Sequence, residues 1–158
     1  MKPVIIKHIA DTLDCLMDEW KYYLNKKTGE IVEIQEEYLS IAEELEEDEE
    51  LGSYMDWEQD SIREALLIFE NWNDYIELPD KYEINEYSIM ESFCYSINNE
   101  KLRVKLCNAI SGRGAFRRFK DAIIRYGVEN EWYNFKFEAL CKIARDWCDL
   151  HEIPYVEE

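Results

Sequence analysis

Trp20-Lys21-Tyr22-Tyr23-Leu24, then Asn25-Lys26-Lys27-Thr28-Gly29, then Glu30-Ile31-Val32-Glu33-Ile34: the reading of this stretch decides the fold class. Two runs rich in aromatic and β-branched residues flank a polar turn that contains glycine, which is the pattern of a β-hairpin. A lone hairpin is marginal in water, so this one has to pack on helices or gain a third strand.

The sequence on either side carries the helical period. Residues 4–18 read as an amphipathic helix, with Pro3 suited to its first turn. At about 100° per residue, Ile5, Ile6, Ile9, Leu13, Leu16 and Met17 share one face. His8, Asp11, Asp14, Cys15 and Asp18 share the other, and Ile5 and Ile6 also suit a short strand. Beyond the hairpin, a helix is expected from Glu36 to Glu50 through Tyr38, Ile41, Ala42 and Leu45, broken by Gly52 and Ser53. A second, near 57–76, places Ile62, Ala65, Leu66, Phe69, Trp72 and Ile76 on one face and ends at Leu78-Pro79.

Asn85 reads as the N-cap of a helix that turns Ile89, Met90, Phe93, Cys94 and Ile97 inward. After a turn at Asn98-Asn99, Leu102, Leu106, Ala109 and Ile110 form the next core face, interrupted by Ser111-Gly112-Arg113-Gly114. A further helix runs from near Ala115 to Gly127, a suitable C′ residue. The last runs from about Glu131 to Leu150, and Pro154 closes the ordered chain. No linker and no solenoid-period repeat divides the sequence. The expectation is a single domain over residues 1–158, α+β and mostly α-helical. It has an N-terminal helix and one β-hairpin, followed by about five amphipathic helices.

The chain has 158 residues, 36 of them acidic and 18 basic, for a net charge of −18. With 14% aromatic residues it is unlike a disordered acidic chain. The charge opposes generic attraction to DNA, RNA or anionic lipid. No apolar stretch is long enough to span a bilayer. The five cysteines are odd in number, and no pair forms C-x-x-C. They read as reduced side chains, most of them among core residues. With no signal-peptide pattern at the start, a cytoplasmic protein is expected.

Charge is unevenly placed. Residues 30–60 hold fourteen acidic residues and no basic one, whereas residues 101–125 hold eight basic and one acidic. The acidic run reads either as a solvated face or as a docking surface for a basic partner. In the basic segment, a helical wheel puts Ala115, Phe116, Phe119, Ala122, Ile123 and Tyr126 on the core face. Arg113, Arg117 and Lys120 fall on one flank, and Arg118 and Arg125 on the far side. Gly112 and Gly114 precede the helix and permit close approach to its free amides, which favour anions.

The candidate site is therefore an anion site of Gly112, Arg113, Gly114, Arg117 and Lys120. Arginine suits it, because its planar fork holds oxyanions bidentately. The alternative is that these cations pair with the chain's own carboxylates. The segment does not match the phosphate-binding pattern G-x-x-x-x-G-K-[ST].

The same residues resemble a family. Gly112-Arg113-Gly114-Ala115-Phe116-Arg117-Arg118-Phe119-Lys120-Asp121 is similar to the central motif of uncharacterised protein family 0158. Trp132-Tyr133 with Phe135, and Trp147, continue the likeness. So do Thr28-Gly29-Glu30, Leu78-Pro79 and Met90-Glu91-Ser92-Phe93 upstream. The resemblance implies a single-domain bacterial protein and supplies no reaction.

Other chemistry is thinly represented. Cys148 and His151 have i, i+3 spacing without a second ligand pair, and His8, Asp11, Asp14 and Asp18 read as a solvated face; no metal or cofactor is implied. There is no G-x-S-x-G elbow. Trp132, Tyr133, Phe135 and Phe137 would stack on bases in a single-strand binder, but read here as core packed on Phe116 and Phe119.

Three functional expectations follow, in order. The first is a non-enzymatic binding or regulatory module that takes a phosphorylated small molecule or an acidic protein segment at the arginine-rich helix. The second is an acidic partner or inhibitor that holds a basic or nucleic-acid-binding protein at residues 30–60. The third is an enzyme acting on a phosphorylated substrate, with no nameable base.

Overall fold

The computed structural model describes residues 2–45 and 50–157. Strand β1 (Val4–Ile5) leads into helix α1 (Ile6–Leu13). Strands β2 (Trp20–Asn25) and β3 (Ile31–Gln35) form the hairpin, and helices α2 (Glu36–Glu44) and α3 (Asp56–Glu70) follow. A 3₁₀ turn (Trp72–Asp74) feeds strand β4 (Tyr75–Glu77). Then come α4 (Lys81–Ile84), α5 (Glu86–Ser96), α6 (Glu100–Ala109), α7 (Ala115–Arg125), α8 (Glu129–Leu150) and β5 (Tyr155–Val156). The fold is α+β and mostly helical.

The hairpin forms where expected, with Tyr23 opposite Val32 and Leu24 opposite Ile31. Its turn is held by Asn25, whose Oδ1 accepts from the amides of Lys27 at 2.9 Å and Thr28 at 3.3 Å. The hairpin is not alone. Residues 75–77, expected at the end of a helix, are the third strand: Leu24 pairs with Ile76 and Asn25 with Tyr75, giving the order β3-β2-β4. Helix α3 stops at Glu70 because the Asn71 side-chain amide donates to the Leu67 carbonyl at 2.9 Å, so Ile76 never joins its face.

Strand period explains the layering. Tyr22 and Leu24 turn to one side of the sheet and join the main core of α1, α5, α6, α7 and α8. Tyr23 and Ile34 turn to the other side, where Tyr38, Leu39 and Ala42 of α2 meet Ile62, Ala65 and Ile68 of α3. The sheet is thus covered on both faces, which accounts for its run of successive apolar residues.

Several boundaries differ from expectation. The first helix is shorter than 4–18: Val4–Ile5 pairs in parallel with Tyr155–Val156, so ordered structure continues past Pro154. Helix α2 ends at Glu44; the rest of the expected run to Glu50 includes residues 46–49, which lie outside the described residues. Trp72, assigned to a core face, is exposed and stacks on Phe69.

The caps expected at Asn85 and Gly127 form, and Asn99, expected only in a turn, is a further N-cap. The Asn85 side chain accepts from the Ser88 amide at 3.2 Å, and that of Asn99 from the Leu102 amide at 3.1 Å. Gly127 adopts φ 70°, and the Val128 amide reaches back to the Ile123 carbonyl at 2.9 Å, a Schellman stop. Among the described residues, no helix is long and apolar enough to cross a membrane.

Candidate functional site

Helix α7 is docked by a buried stripe of Ala115, Phe119, Ala122 and Ile123. Phe119 sets its depth, because its ring meets Trp132 at 4.8 Å and Phe93 at 6.1 Å, both edge-on. Phe93 in turn touches Trp132 and Phe135 at 5.4 Å. These aromatics are core, as read; Tyr133 is exposed.

Phe116 is the exception to the expected core face. It is 52% exposed and rests edge-on against Tyr87. Phe119 and Ala122 face inward, and Phe116 falls at the margin of the stripe, where it lines a cleft of about 850 Å³ with Tyr82, Tyr87, Lys136 and Leu140.

The turn before α7 is built by two left-handed glycines, Gly112 at φ 76° and Gly114 at φ 79°. The chain therefore leaves the helical path before Ala115. Arg113 lies in the turn and not on the helix, so its wheel position is corrected. Arg117 and Lys120 do share a flank of α7, three residues apart.

Arg118, placed by the wheel on the far side, is instead the clasp of the turn. Its Nε donates to the Ala109 carbonyl at 2.9 Å, its Nη2 to the Ser111 carbonyl at 2.5 Å, and its Nη1 to the Arg113 carbonyl. Three donors of one planar group thus satisfy carbonyls that the end of α6 and the turn leave unpaired.

The clasp engages carbonyls of the connection and not its amides. The amide of Arg118 donates to the Gly114 carbonyl at 3.1 Å; among the described residues, the amides of Gly112, Arg113 and Gly114 reach no backbone carbonyl. Helix α7 has no side-chain cap and no acidic residue in its first turn, so its positive end is uncompensated.

Among the described residues, the cations of the candidate site also lack carboxylate partners. Lys21, Lys27, Arg63, Lys81, Lys136, Lys142 and Arg145 each lie within 4.0 Å of a carboxylate. Among the described residues, Arg113, Arg117 and Lys120 have no such partner. Among the described residues, the alternative of internal pairing finds no ion pair within 4.0 Å to support it. On the neighbouring side, Lys105 of α6 and Arg125 of α7 both lie over the ring of Tyr126, at 5.3 and 5.9 Å.

The acidic region takes a different form. Glu36 and Glu37 open α2, and Asp56 and Glu58 open α3, where a helix favours negative charge. Glu58 also accepts from the Met55 amide at 3.2 Å and the Tyr38 hydroxyl at 3.3 Å. The densest part of the run, residues 46–49, lies outside the described residues.

The remaining chemical candidates disperse. Cys148 is buried, and burial pushes its thiol up to about 11, while His151 packs edge-on against Trp147. Asp14 leaves the expected polar face, since α1 ends at Leu13, and binds Lys136 at 2.9 Å. Among the described residues, no group of three or more His, Cys, Asp or Glu converges as a metal site would.

The architecture defines a mostly helical α+β protein with a three-stranded sheet between two helical layers. The chain belongs to Uncharacterised protein family (UPF0158), whose family model matches residues 1–158. No curated protein and no solved structure matches it.

Proposed function

We propose that the chain is a non-enzymatic binding or regulatory module that takes an anion at Gly112, Arg113, Gly114, Arg117 and Lys120. The ligand is a phosphorylated small molecule or an acidic protein segment. One observation carries the reading. In a chain with 36 acidic and 18 basic residues, these three cations stand beside an uncapped helix end with no described carboxylate within reach. Arg118 supports it by fixing the turn from behind, so little loop entropy is lost on binding.

The test is a thermal-shift series with nucleotides, sugar phosphates, polyphosphate and a glutamate-rich peptide, on the wild type and on Arg113→Glu/Arg117→Glu. A ligand at about 100 times its Kd stabilises by roughly 2.7 kcal/mol, a shift of about 5–10 °C at this size. The variant breaks no described ion pair, so its own stability stays within about 0.5 kcal/mol of wild type. A shift present in the wild type and absent in an equally stable variant supports the site. No shift with any of these anions sinks it, as does a shift that survives in the variant.

A further inference from the structure

The cleft lined by Phe116 does not end at Tyr82. It shares Leu16, Lys81 and Tyr82 with a second cleft of about 290 Å³ beside Trp20, so the two adjoin at these residues and are treated together as one groove. Its walls expose apolar side chains that the described residues leave open to solvent. Tyr82, at the junction, is 91% exposed, and Met17 and Phe116 each stand about half in solvent.

The charge around the groove is one-sided. Eight carboxylates line it against three lysines. Every one of those lysines is already engaged: Lys81 with Asp18 at 3.1 Å, Lys21 with Glu77 at 3.1 Å, and Lys136 with both Asp14 at 2.9 Å and Glu86 at 2.8 Å. Its lining therefore presents surplus negative charge and no uncommitted lysine, the reverse of the arginine turn that precedes α7. An anionic occupant would meet repulsion and find no free donor lysine. A compact organic cation would leave most of two joined clefts empty.

We propose that this groove docks an extended basic segment of a partner protein, with aromatic or aliphatic side chains seated between Phe116, Tyr87 and Tyr82 and lysine or arginine side chains directed at the surplus carboxylates. Apolar anchors supply affinity, and the rim charges set sign and speed of association. The surface differs from the acidic run at residues 30–60, to which it contributes only Glu36.

The test is fluorescence anisotropy with a fluorescein-labelled nonapeptide of three Lys-Phe-Ser repeats. Glu-Phe-Ser and Lys-Ser-Ser repeats of equal length are the comparators. The Lys-Phe-Ser peptide is expected to bind about tenfold or more tighter than either. The double variant Tyr82→Ser/Phe116→Ser, at two exposed positions, is expected to weaken it about tenfold or more. Glu43→Gln/Glu44→Gln removes acidic charge away from the groove and is expected to change binding less than about twofold. The proposal is overturned if Lys-Phe-Ser fails to bind or binds no better than Lys-Ser-Ser. It is equally overturned if the Glu43/Glu44 variant loses as much as the Tyr82/Phe116 variant, since attraction would then be the field of net charge alone. Tighter binding of Glu-Phe-Ser would assign peptide docking to the arginine turn.

Discussion

A Cβ placed on Gly114 would stand 3.0 Å from Nη1 of Arg118. The glycine and the arginine are thus two halves of one device. Gly114 lets the chain turn at positive φ, and the vacancy where its side chain would be admits the guanidinium that holds three carbonyls of the α6–α7 connection. Gly112, also at positive φ, has nothing within 4 Å of its Cβ position.

The two glycines should therefore differ on substitution. Gly112→Ala meets only the left-handed penalty, about 1–2 kcal/mol. Gly114→Ala meets the same penalty and displaces Arg118, weakening bonds worth about 1 kcal/mol or more each. At about 2–4 °C per kcal/mol, thermal denaturation separates them. In an Arg118→Ala background the two glycine variants should cost the same. Persistence of the difference there would show that Arg118 is not its source.

Phe116 and Phe119 give a second contrast, on one helix. Phe119 is 3% exposed among Phe93 and Trp132, whereas Phe116 is half in solvent. Phe119→Ala should cost about 3–5 kcal/mol. Phe116→Ala should cost less than about 1 kcal/mol. Urea unfolding measures both, and equal costs would mean that Phe116 is packed as deeply as the wheel alone suggests.

That contrast shows what the sequence reveals and where it stops. Ala115, Phe119, Ala122 and Ile123 were legible because a straight helix docked by one stripe repeats every three or four residues. Phe116 sits within the same arc, but the arc is wider than the stripe a neighbour covers, and only packing decides its margin. Asn85 and Gly127 were legible because caps are local chemistry. Strand β4 was not: three residues have no period of their own, and Trp72 and Ile76, four apart, imitate a helix face. The pairing of Val4–Ile5 with Tyr155–Val156 joins distant parts of the chain without a local signal. Arg113, Arg117 and Lys120 stand out in the sequence as a charge cluster, but the role of Arg118 depends on two left-handed residues that a wheel cannot represent. The groove is made by the end of α1 with β2, β4, α4, α5, α7, α8 and Glu36 of α2, so no single segment announces it.

The thiols predict an order of reactivity. Cys15 is exposed and Cys107 partly so, whereas Cys94, Cys141 and Cys148 are buried. Burial pushes the Cys94 thiol up to about 12 and that of Cys148 to about 11. In the native protein, a disulfide reagent at pH 8 should modify Cys15 first and Cys107 more slowly, with the other three reacting only on unfolding. The same shifts set a pH window. A folded pKa above the unfolded value of about 8.5 means that the unfolded chain releases protons first as pH rises. The contribution is whole below that value and is lost progressively toward pH 11–12. Stability by urea unfolding should accordingly fall between about pH 9 and 11, and less steeply in Cys94→Ala/Cys148→Ala. Rapid native labelling of Cys94 or Cys148 would contradict the burial argument.

Lys136 holds the floor of the groove together. Its side chain is 20% exposed, and it donates to Asp14 after α1 and to Glu86 at the start of α5. Burial pulls its pKa down, but the two carboxylates outweigh that and leave it above the ordinary lysine value. Lys136→Met keeps most of the stem and leaves two carboxylates facing each other in partly buried surroundings. Its cost should be about 1–3 kcal/mol near neutral pH, below the range for fully buried pairs because solvent still reaches the site. Adding Asp14→Asn and Glu86→Gln should recover most of it, since the harm lies in the stranded charges more than in the missing bond. The sign of the pH dependence follows from the raised pKa. The lysine's contribution is whole below its unfolded value of about 10.4 and is lost as pH climbs through the folded one. The gap between wild type and Lys136→Met should therefore be flat from about pH 7 to 9 and narrow above about pH 10.5. A gap that widened at alkaline pH would mean that the ammonium is a burden on the fold, tolerated for what the groove binds.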